Sequence, residues 1–284
     1  MLTIAIQKSG RLSEQTINLF RESGINLANG GKEKLKSKAT NFPIEFLYMR
    51  DDDIPQCVSD QIADLGIVGE NVVHEKSFSL SVEERLGFAR CRLAIAIPKD
   101  MEYKTPQDLQ GLNFATSYPK ILKNFLDENQ IDGTIHEISG SVEIAPSIGM
   151  ADVIFDIVST GSTLLHNGLK EVHTVLNSEA VLISNGQLNS NQRSELERLL
   201  FRFRAVNKAQ NYKYILLNIP NDKIDDICNI LPGMKSPTVM PLAKSGWSSM
   251  HSVIREDDFW ENIENLKAMG AQGILVIPIE KMII

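Results

Sequence analysis

The chain is poor in cysteine, carries no surplus of positive charge and has no long apolar run. Its three cysteines, Cys57, Cys91 and Cys228, lie far apart in 284 residues. They form no CxxC pair and no Cys/His metal pattern, which points to reduced, mostly buried thiols of a cytosolic protein. Lys and Arg number 29 against 36 Asp and Glu, a net charge of −7. That balance argues against a nucleic-acid binder, which usually shows a basic face; it leaves room for a local basic pocket around a small phosphorylated molecule. The opening MLTIAIQKSGRL lacks the apolar core of a signal peptide, and no apolar run reaches the ~18 residues of a membrane span. The expectation is a cytoplasmic protein without membrane contact. What is present is ordinary globular material: 43% hydrophobic residues, ample for a core, in a length suited to two or three lobes.

The most informative stretch is 143–164. An apolar run, Val153–Val158, carries one carboxylate, Asp156, and breaks into Ser159-Thr160-Gly161-Ser162-Thr163 before a second apolar segment. This is the order of a buried strand, a small-residue turn and a helix N-terminus. Such a turn offers backbone N–H groups and hydroxyls in one direction with a helix dipole behind them, and its natural ligand is a phosphate. An unpaired carboxylate in an apolar strand is costly. Two readings of Asp156 are open. It accepts N–H groups of the turn and stiffens it, or it accepts hydroxyls of a sugar whose phosphate the turn holds. The second matches ribose 5-phosphate.

Elsewhere, strand 2–6 runs into Gln7-Lys8-Ser9-Gly10-Arg11 and a helix ending at Gly24. Lys8, Gly10 and Arg11 therefore stand where α/β proteins place ligands, although solvated turn charges read the same. Lys32 to Lys38, after Gly30-Gly31, reads as solvated surface. Strand 44–49 feeds Arg50-Asp51-Asp52-Asp53-Ile54-Pro55, where Asp53 suits an N-cap with Pro55 in the first turn and Arg50 can reach into a cleft. Residues 63–71 and 151–161 both open Ala-Asp, continue as an apolar strand and end at a glycine-containing turn. This weak similarity hints at two related lobes, with the step between them near 90–93. Thr116-Ser117-Tyr118-Pro119 begins a helix with Thr116 or Ser117 as cap; simple capping and contact with an anion or a base edge are both open. Leu196, Leu199, Leu200, Phe203 and Val206 form the stripe of a helix over 192–210. From Tyr212 the elements run β-α-β-β-α-β, the ferredoxin-like order, with Phe259, Trp260, Ile263 and Leu266 facing inward on the last helix. Such a module after an α/β body suits regulation or assembly.

Glu143, Gly149, Ala151, Asp156 and the 159–164 segment resemble the ATP phosphoribosyltransferases. So do IAIQKSGRLS near the start, RDDDIP at 50–55, DLGIVGEN at 64–71, ATSYP at 115–119, and LPGMKSPTVMPLA and GILVIPIEKM near the end. The resemblance spans the chain, and the C-terminal module is that of the long form. Unlike commoner phosphoribosyltransferases, the motif has one acid, since Phe155 precedes Asp156. The resemblance implies a two-lobed body like a type II periplasmic binding protein, formed by 1–90 with 181–211 and by 91–180, and a ferredoxin-like (ACT-like) regulatory domain at 212–284. It implies condensation of ATP with phosphoribosyl pyrophosphate, assisted by Mg²⁺ with no metal-holding residue identified. Asp156 and Ser159 to Thr163 would take the ribose 5-phosphate and Glu143 the ribose hydroxyls or the metal shell. Lys8, Gly10, Arg11 and Arg50 would meet pyrophosphate or triphosphate; Asp64, Leu65, Thr116, Ser117 and Tyr118 would meet the nucleotide. It also implies L-histidine as inhibitor at Asn218, Met234, Ser236, Thr238, Val253 and Gly273, in a homo-oligomer passing between dimer and hexamer. Several relatives carry an acid where Asn218 stands. The competing reading is a two-lobed binding protein without catalysis, because fold alone does not set function.

Overall fold

The computed structural model describes residues 1–28 and 35–283. Gly30, Gly31 and Lys32 of the polar stretch lie outside them. The chain forms two compact units, Met1–Glu197 and Arg198–Ile284.

The first unit holds two sheets. Its elements begin β1 (Leu2–Gln7), α1 (Arg11–Glu22), β2 (Lys36–Lys38), β3 (Ile44–Met49), α2 (Ile54–Ser59), β4 (Leu65–Gly69), α3 (Glu70–Lys76) and β5 (Ser81–Arg85). They continue with β6 (Cys91–Pro98), β7 (Asn113–Thr116), α4 (Pro119–Glu128), β8 (Thr134–Glu137), β9 (Val153–Val158), α5 (Ser162–His166), β10 (Leu169–Ser178), β11 (Ala180–Ser184) and α6 (Ser190–Gln210), which runs on into the second unit. One sheet has the order β2-β3-β1-β4-β11-β5 and the other β10-β6-β9-β7-β8. Lys36–Lys38, read as part of a solvated stretch, forms a short edge strand antiparallel to β3 with both lysines exposed.

The two sheets share a plan. In the first, β1 lies between parallel β3 and β4, and β11 runs antiparallel beside β4. In the second, β7 lies between parallel β8 and β9, and β6 runs antiparallel beside β9. β4 and β9 are thus equivalent, and they are the two strands that open Ala-Asp. The acids do the same work. Asp64 Oδ2 accepts the N–H of Thr3 at 2.7 Å, and Asp152 Oδ2 accepts the N–H of Asn113 at 2.8 Å. Each carboxylate ties the amino end of its strand to the start of the parallel neighbour and so pins the register.

Burial follows the pleat. On β9, Val153 and Phe155 join Phe114, Leu122, Phe125 and Leu126 in the core under α4. Ile154 and Val158 face the opposite way, onto a cluster with Ala94, Ala96, Ala115 and Leu164. Asp156 belongs to this second face by alternation. On β4, a Cβ at Gly66 would lie 2.6 Å from Ile54 Cγ2 and 2.9 Å from Val58 Cγ2, so glycine is what lets α2 lie on the strand.

The second unit adds β12 (Tyr212–Pro220), α7 (Ile224–Ile230), β13 (Thr238–Pro241), β14 (Trp247–Arg255), α8 (Glu256–Ala268) and β15 (Gln272–Pro278). The antiparallel order β13-β14-β12-β15 is the ferredoxin-like sheet. Ile215, Leu217, Ile219, Met250 and Ile254 from the sheet pack with Phe259 and Leu266 of α8. Trp260 was expected in this core and is not there: it is 67% exposed. On a 3.6-residue helix it sits about 100° round from Phe259, and its indole lies edge-on against that ring from outside.

Candidate functional site

The half-site around Asp156 is built from the carboxyl end of β9. The Asp156 carboxylate is only partly exposed. Burial pushes its pKa up to about 6, and the nearby Glu143 carboxylate adds to the rise. The opposing influence comes from the backbone N–H of Ile157, its own neighbour; no hydrogen bond joins it to the 159–163 turn among the described residues. The stiffening reading therefore loses its basis, and this carboxylate keeps acceptor capacity for something else. Glu143 stands in a short 3₁₀ turn, Val142–Ile144, entered through left-handed Ser141.

The turn itself differs from expectation in one respect. α5 has five residues, too few for a substantial dipole. What the turn offers is local: exposed Ser159 and Thr160, Gly161 at φ +80°, and the Thr160 and Ser162 hydroxyls 3.1 Å apart. Behind it stands an arginine that inspection of the sequence did not single out. Arg92 grips Glu171 with two nitrogens, at 2.6 and 2.5 Å, and donates a third N–H to the carbonyl of Ser159 at 3.2 Å. Arg92 and Glu171 are 79 residues apart, and only the β6–β10 pairing brings them together.

Between the two sheets of this unit lies a cavity of about 490 Å³. Asp51, Asp52, Glu75 and Lys76 line one side; Ser117, Tyr118 and Gly140 line the other. Tyr118 is where the sides meet. Burial raises its phenol above the usual range, and the charges of Asp156, Asp51 and Asp52 push it further. Tyr118, not Thr116 or Ser117, is the N-cap of α4, and no side chain caps it locally. Thr116 Oγ1 accepts the N–H of Tyr118 at 2.8 Å, and Ser117 Oγ donates to the Ile138 carbonyl at 2.7 Å. The free N–H groups of α4 are taken by Glu75 of α3, whose oxygens accept those of Lys120 and Ile121 at 3.0 and 3.1 Å. A carboxylate reaching across from the other sheet thus fills the place that the sequence offered to an anion.

Lys8, Gly10 and Arg11 follow the carboxyl end of β1, and Arg50 follows that of β3, all exposed. Ile6 pairs with Tyr48 and the Lys8 N–H donates to Met49 O at 2.9 Å, so both turns leave the same edge. Lys8, Arg11 and Arg50 make no ion pair among the described residues. Asp64 and Leu65 do not join them. They lie at the amino end of β4; Leu65 is fully buried, and Asp64 is committed to the Thr3 N–H and to the Gln192 amide at 2.5 Å. Both therefore stand apart from the turns at the carboxyl ends, and the tie that Asp64 makes is repeated by Asp152 in the second sheet.

In the second unit, Asn218 pairs with Ser249, Thr238 with His251 and Tyr214 with Val253. By alternation Asn218, Thr238 and Val253 share one face. Gly273 adjoins Asn218 at an irregularity between β12 and β15; its φ is +58°, and a Cβ there would lie 3.1 Å from Asn218 Nδ2. Met234 and Ser236 precede β13 in an exposed loop. His251 was not foreseen; its ring nitrogens meet Tyr214 Oη at 2.8 Å and Ser249 Oγ at 3.2 Å.

No helix of the described residues is long and apolar enough to cross a membrane. Among them no group of three or more His, Cys, Asp and Glu is placed to hold a metal ion. A divalent ion would then be held mainly by substrate oxygens, with no more than one or two carboxylates beside it.

Fold and site together define a class: a two-sheet α/β body with acids and a small-residue turn on one side of a cleft, free cations at strand ends of the other sheet, and a separate ferredoxin-like domain. The ATP phosphoribosyltransferase family model matches residues 50–205, and the model of the HisG C-terminal domain matches 209–281. The ATP phosphoribosyltransferase of Cytophaga hutchinsonii is 55% identical over 283 residues, covering 100% of this chain and 99% of the relative. That of Bacteroides thetaiotaomicron is 54% identical, with 100% of each chain covered. The solved ATP phosphoribosyl transferase (HisG:HisZ) complex from Thermotoga maritima has a chain that matches with a TM-score of 0.62 at 24% identity, covering 72% of this chain and 97% of that one. It bears on the fold alone.

The chain belongs to the ATP phosphoribosyltransferase family, in its long form. It binds ATP and phosphoribosyl pyrophosphate and joins them, releasing pyrophosphate, in histidine biosynthesis. The reading as a binding protein without catalysis gives way to this one.

The raised Asp156 pKa has a sign that can be tested. A carboxyl whose folded pKa lies above its unfolded value binds its proton better in the fold, so stability falls as pH rises from about 4 through about 6. The full effect is ~3 kcal/mol. Asp156→Asn, which mimics the neutral acid, is expected to be more stable than the parent by ~3 kcal/mol at pH 8 and equal to it near pH 4, read by urea denaturation at both pH values. Equal stability at pH 8 contradicts the assignment.

Proposed function

We propose that the ribose 5-phosphate part of phosphoribosyl pyrophosphate binds at Asp156 and the turn Ser159 to Thr163, while ATP approaches from the side of Lys8, Arg11 and Arg50. The observation that carries this is a partly buried carboxylate with unused acceptor capacity, on the same strand as an exposed turn of hydroxyls and N–H groups. Asp156 accepts the ribose hydroxyls, and Glu143 assists it or stands in the metal shell. The turn donates to the 5-phosphate through backbone N–H groups and the hydroxyls of Thr160, Ser162 and Thr163. Gly10 lets the first turn approach the phosphates, and Thr116, Ser117 and Tyr118 border the nucleotide.

In the reaction N1 of adenine bonds to C1 of the ribose, the bond from C1 to the pyrophosphate oxygen breaks, and its electron pair leaves with pyrophosphate. N1 already bears the attacking pair, so no general base is required. The protein positions two anions and offsets charge as it grows on the leaving group. Lys8, Arg11 and Arg50 are the cations available for that. Mg²⁺ is the ion we infer; Glu143 or Asp156 would stand beside it, and it would supply charge neutralisation to the leaving group.

The same reading assigns 1–90 with 181–211 to one catalytic lobe, 91–180 to the other and 212–284 to regulation. L-Histidine binds the regulatory domain at Asn218, Met234, Ser236, Thr238, Val253 and Gly273. The protein works in the cytoplasm as a homo-oligomer, with histidine favouring a less active hexamer over a dimer. That coupling requires histidine to bind one assembly better than the other.

Asp156→Ala is expected to weaken phosphoribosyl pyrophosphate about 10- to 100-fold, the value of hydrogen bonds to a charged acceptor, while changing ATP affinity less than about threefold. Calorimetric titration of each substrate checks this, and an equal loss for both removes Asp156 from the sugar site. Ser236→Phe is expected to raise the histidine concentration for half-inhibition by about tenfold with turnover near normal. An unchanged inhibition curve places the inhibitor elsewhere.

A further inference from the structure

The turn at 159–163 cannot present donors to a phosphate unless its peptide planes are oriented, and an exposed Ser-Thr-Gly-Ser sequence has little to orient them. Arg92 supplies a constraint from beneath. It lies on β6 two residues before Ala94 and four before Ala96, on the same face by alternation, and those alanines belong to the cluster that includes Val158 and Leu164. The guanidinium is fixed by a two-point grip on Glu171, at 2.6 and 2.5 Å, and Thr174 Oγ1 donates to the same carboxylate at 3.1 Å. Such a fork leaves little rotational freedom. The remaining nitrogen donates to Ser159 O at 3.2 Å.

We propose that Arg92 is a positioning residue of the phosphate turn: by holding the Ser159 carbonyl, it aims the Thr160 N–H at the 5-phosphate of the sugar substrate. In a trans peptide the C=O and the following N–H point in opposite directions, and the described residues contain no cis peptide bond. Drawing the carbonyl toward Arg92 therefore turns the Thr160 N–H away from it. Without the tie the peptide is free to rotate, and a rotated plane sets a carbonyl oxygen where a donor should face an anion. Arg92 does not act as a free positive charge, because Glu171 neutralises it. The pair is mutually stabilised: the shared hydrogen bonds hold the Glu171 carboxyl below its usual range and the Arg92 guanidinium above its own. The proposal rests on the turn being the phosphate site.

The test compares Arg92→Gln, Arg92→Lys, Glu171→Gln and Gly161→Val in the full-length enzyme. It measures KM for both substrates and the affinity for ribose 5-phosphate by calorimetry. Loss of one oriented donor is expected to weaken ribose 5-phosphate and raise KM for phosphoribosyl pyrophosphate by about tenfold in Arg92→Gln, with KM for ATP within about twofold. Arg92→Lys, which keeps the charge and loses the fork, is expected to fall between this and the parent. Glu171→Gln is near-isosteric and serves where Arg92→Gln does not fold. It frees a positive charge while releasing the guanidinium, so orientation predicts weaker sugar-phosphate binding and a direct charge effect predicts tighter binding; tighter binding overturns the proposal. Equal rises in both KM values also overturn it, as a purely structural role. Gly161→Val tests the underlying site. If it weakens ribose 5-phosphate while the Arg92 and Glu171 variants do not, the positioning role alone fails. If it changes nothing, the phosphate site itself is refuted, and the proposal with it.

Discussion

The body of this enzyme depends on the register of its parallel strands. In each sheet a carboxylate just before one strand accepts a backbone N–H at the start of its parallel neighbour: Asp64 with Thr3, Asp152 with Asn113. Slipping either pair by one residue would send every side chain of the strand to the other face. Asp156 would leave the face it shares with Val158 and Leu164 and enter the core around Phe114. The turns that carry Lys8, Arg50, Tyr118 and Ser159 would also lose their common level at the strands' carboxyl ends, where α/β sheets present ligands. Function is thus suspended from two hydrogen bonds at the amino ends of strands, one partly buried and one exposed.

This explains both what the sequence disclosed and what it hid. A strand with an acid in an apolar run, followed by small residues, is a local pattern, and β9 with its turn was legible for that reason. So was the β-α-β-β-α-β order after residue 212, because each element carries its own periodicity. Asp64 was ambiguous because an acid before a strand looks the same whether it binds a ligand or a neighbouring strand. Its tie to Thr3 appears only in the fold, beside that of Asp152 in the equivalent strand. Arg92 with Glu171, and Glu75 with the start of α4, were invisible because the partners are 79 and 45 residues apart. Trp260 was misplaced because a helical stripe is wide enough to admit either side of Phe259, and only packing chooses.

The cleft has a division of labour that follows from charge. The second sheet contributes Asp156 and Glu143, which repel phosphate but accept hydroxyls, beside a turn whose neutral N–H donors suit a phosphate. The first sheet contributes Lys8, Arg11 and Arg50, exposed and not committed to ion pairs among the described residues, which suit polyphosphate. Glu75 adds a direct tie between the sheets by capping α4 from α3. It ties the start of α4, next to Tyr118, to the first sheet's α3.

The sharpest measurement is a titration of the full-length enzyme with ribose 5-phosphate, followed by backbone amide chemical shifts. Binding at the β9 half of the cleft predicts the largest changes at Ile157 and at Thr160 through Thr163, with the amides of Lys8 through Arg11 little moved. Shifts concentrated at Lys8 through Arg11 with the 160–163 amides unchanged would contradict the assignment of the sugar phosphate to Asp156 and its turn.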